Sequence, residues 1–490
     1  MLSKTIIWWQ HNKGLLLLLL LLVVLRIPHF NRPLSKHHDF NNAVILINAV
    51  SWQQAGGGAA FAYTPLMNFQ GESNKLLENG PHIDAQHNHV YLSFGAGWYV
   101  LPYFVFESLH MSPTPAALEI LNILIGMLTT LLLYRLLLHW LQHKKSALLM
   151  TAFFTLMPAP LWYMGHSYVT TGIMLPLLLW ILRLWQIAST KQLSLFQLLQ
   201  LFTAFVLLLY IDWLPVFVGF SMAAWALWKS FRQPQYHVVW ITCGLAVATG
   251  ICLVFTQFAT YLGWEQVWQY WQSRSAERSM GTAGNTTIQL VLQTGKHLLS
   301  GYFPLFIVAA IIGIKKLPSS TTSVLKHWST WALCAVLLYN LLLFNWSALH
   351  EFAWMAFGLV FCLWLFLHYG EALLSTAATW VRAVMVVSLL AFYIINLPGP
   401  KNIRGEPYNA QQTIASRIQQ KIPADAIILS NHQAPKIIEW YSKRTFNFAA
   451  NEQAAQSIAN SKSATVYWAL FNGEELLLIK QLTVRSATAN

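Results

Sequence analysis

The chain has 490 residues, of which 56% are hydrophobic and 10% charged, with a mean hydropathy of +0.47. Soluble domains carry about 25% charged residues, so the composition excludes a wholly soluble protein and points to a polytopic α-helical membrane protein. The net charge of +13 does not mark a nucleic-acid binder: Lys and Arg form no blocks with interleaved aromatics. They fall in the short connections between apolar runs, as the positive-inside rule requires, where they also suit anionic lipid head groups.

The chain opens with Lys4, Lys13 and the apolar run Leu15 to Leu25. No small-x-small cleavage site follows, so Trp8–Ile27 reads as an uncleaved signal anchor with Trp8 and Trp9 at the interface. A long polar loop comes next, residues 28–92, with His37-His38-Asp39-Phe40 near its start. Asp39 precedes an amphipathic segment with Val44, Ile45, Ile47 and Val50. It is placed to cap that helix. It is also placed to act as a general base at a membrane surface, where a carboxylate is costly and usually has a task. Both roles can hold at once.

Later in the same loop, His82, Asp84, His87 and His89 bring a carboxylate and imidazoles close together. That density suits a divalent metal ion or a phosphate. His87-Asn88-His89 is not a recognised metal spacing, and histidines of a solvent-facing loop are the plainer reading. Asp84 is the second catalytic candidate. The apolar segment Phe94–Leu109, within residues 93–110, is short and contains Gly95, Gly97, Pro102 and Glu107. It reads as a juxtamembrane or re-entrant helix facing a protein cavity.

Spanning helices need about 20 apolar residues. With the signal anchor, the candidates are Pro115–Leu138, Ala147–Met164, Val169–Ile187, Leu195–Ile211, Trp213–Trp228, Val238–Leu262, His297–Ile314, Trp328–Phe344, Phe352–Leu367 and Trp380–Leu397, eleven in all. This arrangement puts Arg135, Lys144, Lys145, Lys191, Lys229, Arg232, Lys315, Lys316 and Lys326 on the cytoplasmic side. The first loop and the C-terminus then face the outside together.

Three sets of polar residues fall in outer turns. Asp212 interrupts two spans with almost no loop; it suits either a tight turn or a carboxylate facing a shared cavity. Arg274 and Arg278, with the adjoining Lys296, sit in the outer connection Gly263–Gly295 and break the positive-inside pattern locally. That exception suggests an anion partner, because guanidinium grips phosphate in a bidentate manner. His350-Glu351 is a further pair facing the same side, and His166 sits in a similar turn. Cys243, Cys252, Cys334 and Cys362 lie in apolar runs and read as packing residues. Asn285-Thr286-Thr287 and Asn345-Trp346-Ser347 match the N-glycosylation pattern.

Residues 399–490 alternate in an α/β manner. Helices are expected at Asn409–Lys421, Pro435–Tyr441 and Glu452–Asn460, and strands at Ala426–Ser430 and Arg444–Phe448. Thr465–Leu470 and Leu476–Thr483 should form a hairpin around Asn472-Gly473. The expected organisation is a transmembrane domain over residues 1–398 and a small extracytoplasmic α/β domain over 399–490. The tail has no Gly-rich phosphate loop and reads as a lid or partner surface.

The order of parts resembles the GT-C superfamily of integral-membrane glycosyltransferases, nearest in layout to the bacterial protein O-mannosyltransferase and aminoarabinose-transferase relatives. The residues that carry the resemblance are Asp39 after the first helix; Asp84, Tyr91 and Ser93-Phe94-Gly95-Ala96-Gly97 leading into a surface helix; the span Ala116–Tyr134; Asp212-Trp213; and Tyr441-Ser442-Lys443-Arg444. This chain has no paired D-x-D, and Phe94-Gly95-Ala96-Gly97 stands where relatives commonly have Pro-Pro. The resemblance implies a polyprenyl-phosphate sugar donor and transfer outside the cytoplasm. It implies Asp39 as the base near the acceptor hydroxyl, with a lipid, glycan or protein as acceptor. A transporter or flippase, or a non-catalytic polysaccharide-assembly protein, are the competing classes. Against transport, the chain shows no matching halves and no mid-membrane charge pairs.

Overall fold

The computed structural model describes residues 12–35, 38–279, 286–319, 327–395, 407, 409–433, 435–462 and 464–483. Trp8, Trp9, His37, Asn285, Lys326 and Asn490 lie outside these residues. In chain order the helices are α1 Lys13–Val24, α2 Phe40–Gln54, α3 Gly97–Ser108, α4 Pro115–Leu141, α5 Lys144–Thr155, α6 Pro158–Tyr163, α7 Thr170–Thr190, α8 Leu195–Leu209, α9 Leu214–Ser230 and α10 His237–Leu262. They continue with α11 Trp264–Arg278, α12 Thr287–Gly301, α13 Phe303–Ile314, α14 Trp328–Leu342, α15 Phe344–Leu349, α16 Met355–Thr376 and α17 Ala378–Ile395, then α18 Ala410–Lys421, α19 Lys436–Ser442 and α20 Glu452–Asn460. The strands are β1 Ile427–Ser430, β2 Phe446–Phe448, β3 Val466–Asn472 and β4 Glu475–Leu482.

Among the described residues, four helical runs are long and apolar enough to cross a membrane: α4, α7, Pro234–Leu262 and Glu351–Thr376. The pair α12 and α13 makes a fifth only across an 85° bend. Leu195–Leu209, Trp328–Leu342 and Ala378–Phe392 are shorter apolar helices. The protein is therefore an integral membrane protein with four or five clear spans by length and composition. Two expected spans are broken. His297–Ile314 turns at Tyr302, which ends α12 and starts α13, with Pro304 in the first turn of α13. Ala147–Met164 divides into α5 and α6 at Pro158. Proline lacks the N–H that would continue a helix, so each break sits where a proline opens the next one.

The chain forms two compact units. One comprises Met1–Phe30, Glu119–Phe255 and Trp271–Leu397; the other comprises Asn31–Leu118, Thr256–Tyr270 and Pro398–Asn490. Within the first, turns read as external gather with one another. Tyr163 and Ser300 both bond Glu351, Tyr339 bonds Asp212, and His166 bonds Glu119. Turns read as cytoplasmic gather likewise: the ring of His327 lies 5.1 Å from Trp140 and 4.9 Å from His368.

The second unit joins the first polar loop to the tail. Its sheet has the order β2-β1-β3-β4, with β1 parallel to β2 and β3, and β3 antiparallel to β4. One face packs Ile414, Ile418, Ile428, Ile438, Phe446 and Phe471. The other packs Leu429, Trp468 and Leu482, with Leu77 of the first loop against it. Hydrogen bonds tie loop to tail: Leu34 N–H to the Tyr441 hydroxyl at 2.6 Å, Leu77 N–H to Asn447 Oδ1 at 2.7 Å, Thr445 N–H to Asn74 Oδ1 at 2.8 Å, and Lys436 Nζ to the Met67 carbonyl at 2.9 Å. Lys436 also pairs with the fully buried Glu439 at 2.7 Å. The loop thus has a folded partner that buries its backbone groups.

Candidate functional site

In the loop-and-tail unit, Asp39 stands at the start of α2 but does not cap it. Its backbone is helical, φ −70° and ψ −8°, and its side chain makes no capping bond. The carboxylate instead meets Arg32. Arg32 NH1 donates to Oδ2 at 2.6 Å and NH2 donates to Oδ1 at 2.9 Å, a bidentate fork. Ser35 N–H donates to Oδ2 at 2.8 Å, and its hydroxyl lies 3.4 Å away. Asp39 has no solvent exposure. A carboxylate offers about four acceptor positions; three short bonds leave one, bordered by the weaker Ser35 contact. Tyr441 completes the group. Burial pushes its phenol up to about 12, with Asp39 pushing the same way and the Leu34 N–H bond and Arg32 opposing. Arg32 was not singled out from the sequence, since a guanidinium seven residues away across an irregular loop carries no periodic signal.

Asp84 is buried in the same unit, and its acceptor positions are filled. Oδ1 takes the N–H groups of Gln86 at 2.9 Å and Asn88 at 2.8 Å; Oδ2 takes Asn88 Nδ2 at 2.8 Å and the Tyr261 hydroxyl at 2.5 Å. The carboxylate holds its turn and ties it to the end of α10. Lys75 donates to Asn88 Oδ1 at 2.6 Å; burial lowers its pKa, with Asp84 opposing. His87 is exposed at the turn with φ +58°, and the His89 ring lies 5.3 Å from that of His82. Among the described residues no group of three or more His, Cys, Asp or Glu could hold a metal ion. The expected gathering of His87 and His89 about Asp84 does not form, because the carboxylate faces backbone N–H groups and Tyr261.

In the other unit, Asp212 sits between α8 and α9 with no solvent exposure. Its Oδ1 takes Leu214 N–H at 3.0 Å and the Tyr339 hydroxyl at 2.7 Å. Oδ2 makes no hydrogen bond of good geometry among the described residues. Burial raises its pKa, against the Tyr339, Leu214 and Thr170 contacts and the charge of Arg278. Asp212 therefore braces the turn and also faces the interior. Arg278 ends α11, is buried, and lies 5.9 Å from the centre of the Trp346 ring. Arg274 is more exposed and pairs with Glu277 on its own helix. The two arginines are thus unlike: one faces the interior and the other a surface carboxylate. Lys296 is exposed on α12. Its neighbour in charge is Glu351, which takes the Ser300 hydroxyl at 3.1 Å and the Tyr163 hydroxyl at 3.3 Å. His350 stacks on Phe352 with ring centres 5.0 Å apart.

A further cluster in this unit escaped the sequence reading. Arg26, 1% exposed, donates to the Leu22 carbonyl at 3.0 Å, near the charge of Glu119. Glu119 bonds Nδ1 of His166, and the His29 ring lies 5.3 Å from that of His166. A Cβ at position 165 would lie 2.1 Å from Arg26 Nε, so any larger residue there displaces the Arg26 side chain. The available signal was a carboxylate within an apolar span and an arginine at the end of the Leu tract. A histidine held at one nitrogen by a carboxylate is oriented for proton transfer at the other.

No protein-family model matches the chain, and no curated protein matches it in sequence. Solved structures do. The chain is similar to ArnT from Cupriavidus metallidurans bound to undecaprenyl phosphate, with a TM-score of 0.57 and 10% identity, covering 94% of this chain and 93% of that one. It is similar to the archaeal oligosaccharyltransferase AglB from Archaeoglobus fulgidus in complex with an inhibitory peptide and a dolichol-phosphate, at 0.52 and 12%, covering 94% and 70%. An Archaeoglobus fulgidus oligosaccharyltransferase in complex with Zn and sulfate scores 0.51 at 12% identity, covering 93% and 68%. The chain has the GT-C fold that these membrane glycosyltransferases share.

Proposed function

We propose that this chain is a membrane glycosyltransferase that moves a sugar from a polyprenyl-phosphate donor to a lipid, glycan or protein acceptor outside the cytoplasm. The observation that carries the reading is a buried, charge-paired carboxylate, Asp39, opening the first loop of a chain that shares its fold over 94% of its length with ArnT bound to undecaprenyl phosphate. The proposal includes the eleven-span arrangement in the bacterial inner membrane, with a cytoplasmic N-terminus and an external tail, residues 399–490, that folds together with the first loop.

Asp39 takes the proton from the acceptor hydroxyl at its remaining acceptor position, held in place by Arg32 and the Ser35 N–H. The acceptor oxygen forms the new glycosidic bond as the bond to the donor phosphate breaks, and the phosphate leaves on the lipid. One displacement inverts the sugar. In the helical unit, Arg278 is the buried cation suited to a phosphate group, a contact of large expected electrostatic weight. Arg274 is half-buried and Lys296 exposed, and both would add long-range attraction. Asp212 and His350-Glu351 line the end of the helical unit and would position substrate. Asp84 supports the loop.

The test is mass spectrometry of lipid-linked sugars and surface glycans in cells with and without the gene. Loss should accumulate one polyprenyl-phosphate sugar and remove one glycan modification. Unchanged pools of both would contradict the reading.

A further inference from the structure

Among the buried donors that the loop-and-tail unit leaves unpaired in the described structure, two lie side by side. The hydroxyl of Tyr99 and the indole N–H of Trp98 have no hydrogen-bond partner in the described structure. Tyr99 has no solvent exposure and Trp98 has 3%. Burying a hydroxyl or N–H unpaired destabilises the fold, so two such groups side by side in the first turn of α3 call for a reason.

Their surroundings are aromatic and hydroxylated. The rings of Trp98 and Tyr99 lie 4.6 Å apart, and Tyr91 lies 6.0 Å from each. Phe94 packs edge-on to Trp98 at 6.4 Å. The Tyr270 hydroxyl lies 3.2 Å from Ser93 Oγ. Burial pushes the Tyr99 phenol well above its ordinary value, and the oxygens of Tyr91 and Tyr270 push the same way. Tyr99 is therefore a firmly neutral O–H donor with other hydroxyls nearby.

A sugar ring presents C–H faces that lie against aromatic rings and a rim of hydroxyls that need donors and acceptors. Lone phosphate would call for cations, and among the residues named here there are none. A lipid chain would not require the two donors. We propose that Tyr91, Trp98 and Tyr99, with Ser93 and Tyr270, form a sugar-binding box that holds the ring of the transferred sugar. Trp98 and Tyr99 donate to its hydroxyls. The proposal rests on the glycosyltransferase reading above and names the subsite that recognises the sugar.

The test uses Tyr99→Phe, which keeps the ring and removes only the unpaired hydroxyl. Lipid-linked sugars extracted from producing cells are offered to the purified full chain, and the species that the native protein consumes is purified and titrated against both proteins. Undecaprenyl phosphate without sugar is titrated separately as an inhibitor. Tyr99→Phe should melt at or above the native temperature, because it loses an unsatisfied polar group. Its KM for the donor should rise about tenfold, the effect of one hydrogen bond of roughly 1.4 kcal/mol. Inhibition by undecaprenyl phosphate should be unchanged. An unchanged donor KM overturns the box. Equal weakening of donor and bare lipid phosphate also overturns it, because the hydroxyl would then be serving the phosphate. If the native protein consumes no species in the extract, the glycosyltransferase reading itself falls, and the box with it.

Discussion

At the scale of single residues, the paired charges decide which substitutions are informative. Asp39→Asn alone is a poor test of catalysis, since it leaves Arg32 charged and nearly buried without its fork, and breaking such a pair costs about 3–5 kcal/mol. Arg32→Gln with Asp39→Asn removes both charges together and keeps a hydrogen-bonded contact. The unlike arginines give a second prediction. Arg278→Ala should raise donor KM by roughly tenfold to a hundredfold, the loss of one charged hydrogen bond worth about 1.5–3 kcal/mol. Arg274→Ala, which loses an exposed pair worth about 0–1 kcal/mol, should change it by only a few-fold. Equal effects in donor titrations would remove the distinction. Asp212 gives a third. Its folded pKa is raised above the unfolded 3.8 by burial, so its contribution is fully present below that value and fades as pH rises through the raised one. Asp212→Asn keeps an oxygen for Leu214 and Tyr339 and has no such fade. The variant should melt at or above the native protein at neutral pH, with the gap widening from about pH 4 upward; a gap independent of pH would refute it. Residue identity alone made Asp39, Asp212 and Arg278 visible. It did not give their partners Arg32, Tyr339 and Trp346, because contacts across loops and between helices leave no local pattern.

At the scale of elements, the tail was legible almost throughout. Its strands and helices alternate with clear turn residues, and the hairpin closes at Gly473, whose φ of +58° suits glycine. The membrane helices were legible as apolar runs, but the breaks at Tyr302 and Pro158 were not drawn, although Pro158 and Pro304 marked them. What no periodicity could show is that residues 31–118 fold with the tail, through side chains of Asn74, Thr445, Asn447 and Tyr441 that cap individual backbone groups. Asn447 is the most direct probe, because it receives the Leu77 N–H and donates to the Lys75 carbonyl. Asn447→Ala should destabilise this unit by about 1–3 kcal/mol, the cost of leaving a buried N–H unmet. Thermal melting or proteolysis of the first loop would detect it, and an unchanged loop would mean that the contact is incidental.

At the scale of the whole molecule, charge distribution fixes the expected orientation. Reporters fused after Lys145 and after Asn490 should face opposite sides of the membrane; the same side for both would undo the eleven-span arrangement. The central claim is that this GT-C-fold protein transfers sugar from a polyprenyl phosphate, with Asp39 as base. The most direct measurement is release of free polyprenyl phosphate by purified protein given extracted lipid-linked sugars and a membrane extract as acceptor. The native protein should release it together with a glycosylated product. The Arg32→Gln, Asp39→Asn variant should melt close to the native temperature and release at least about a hundredfold less, the typical weight of general-base catalysis. Release by this well-folded variant at near the native rate would contradict the account.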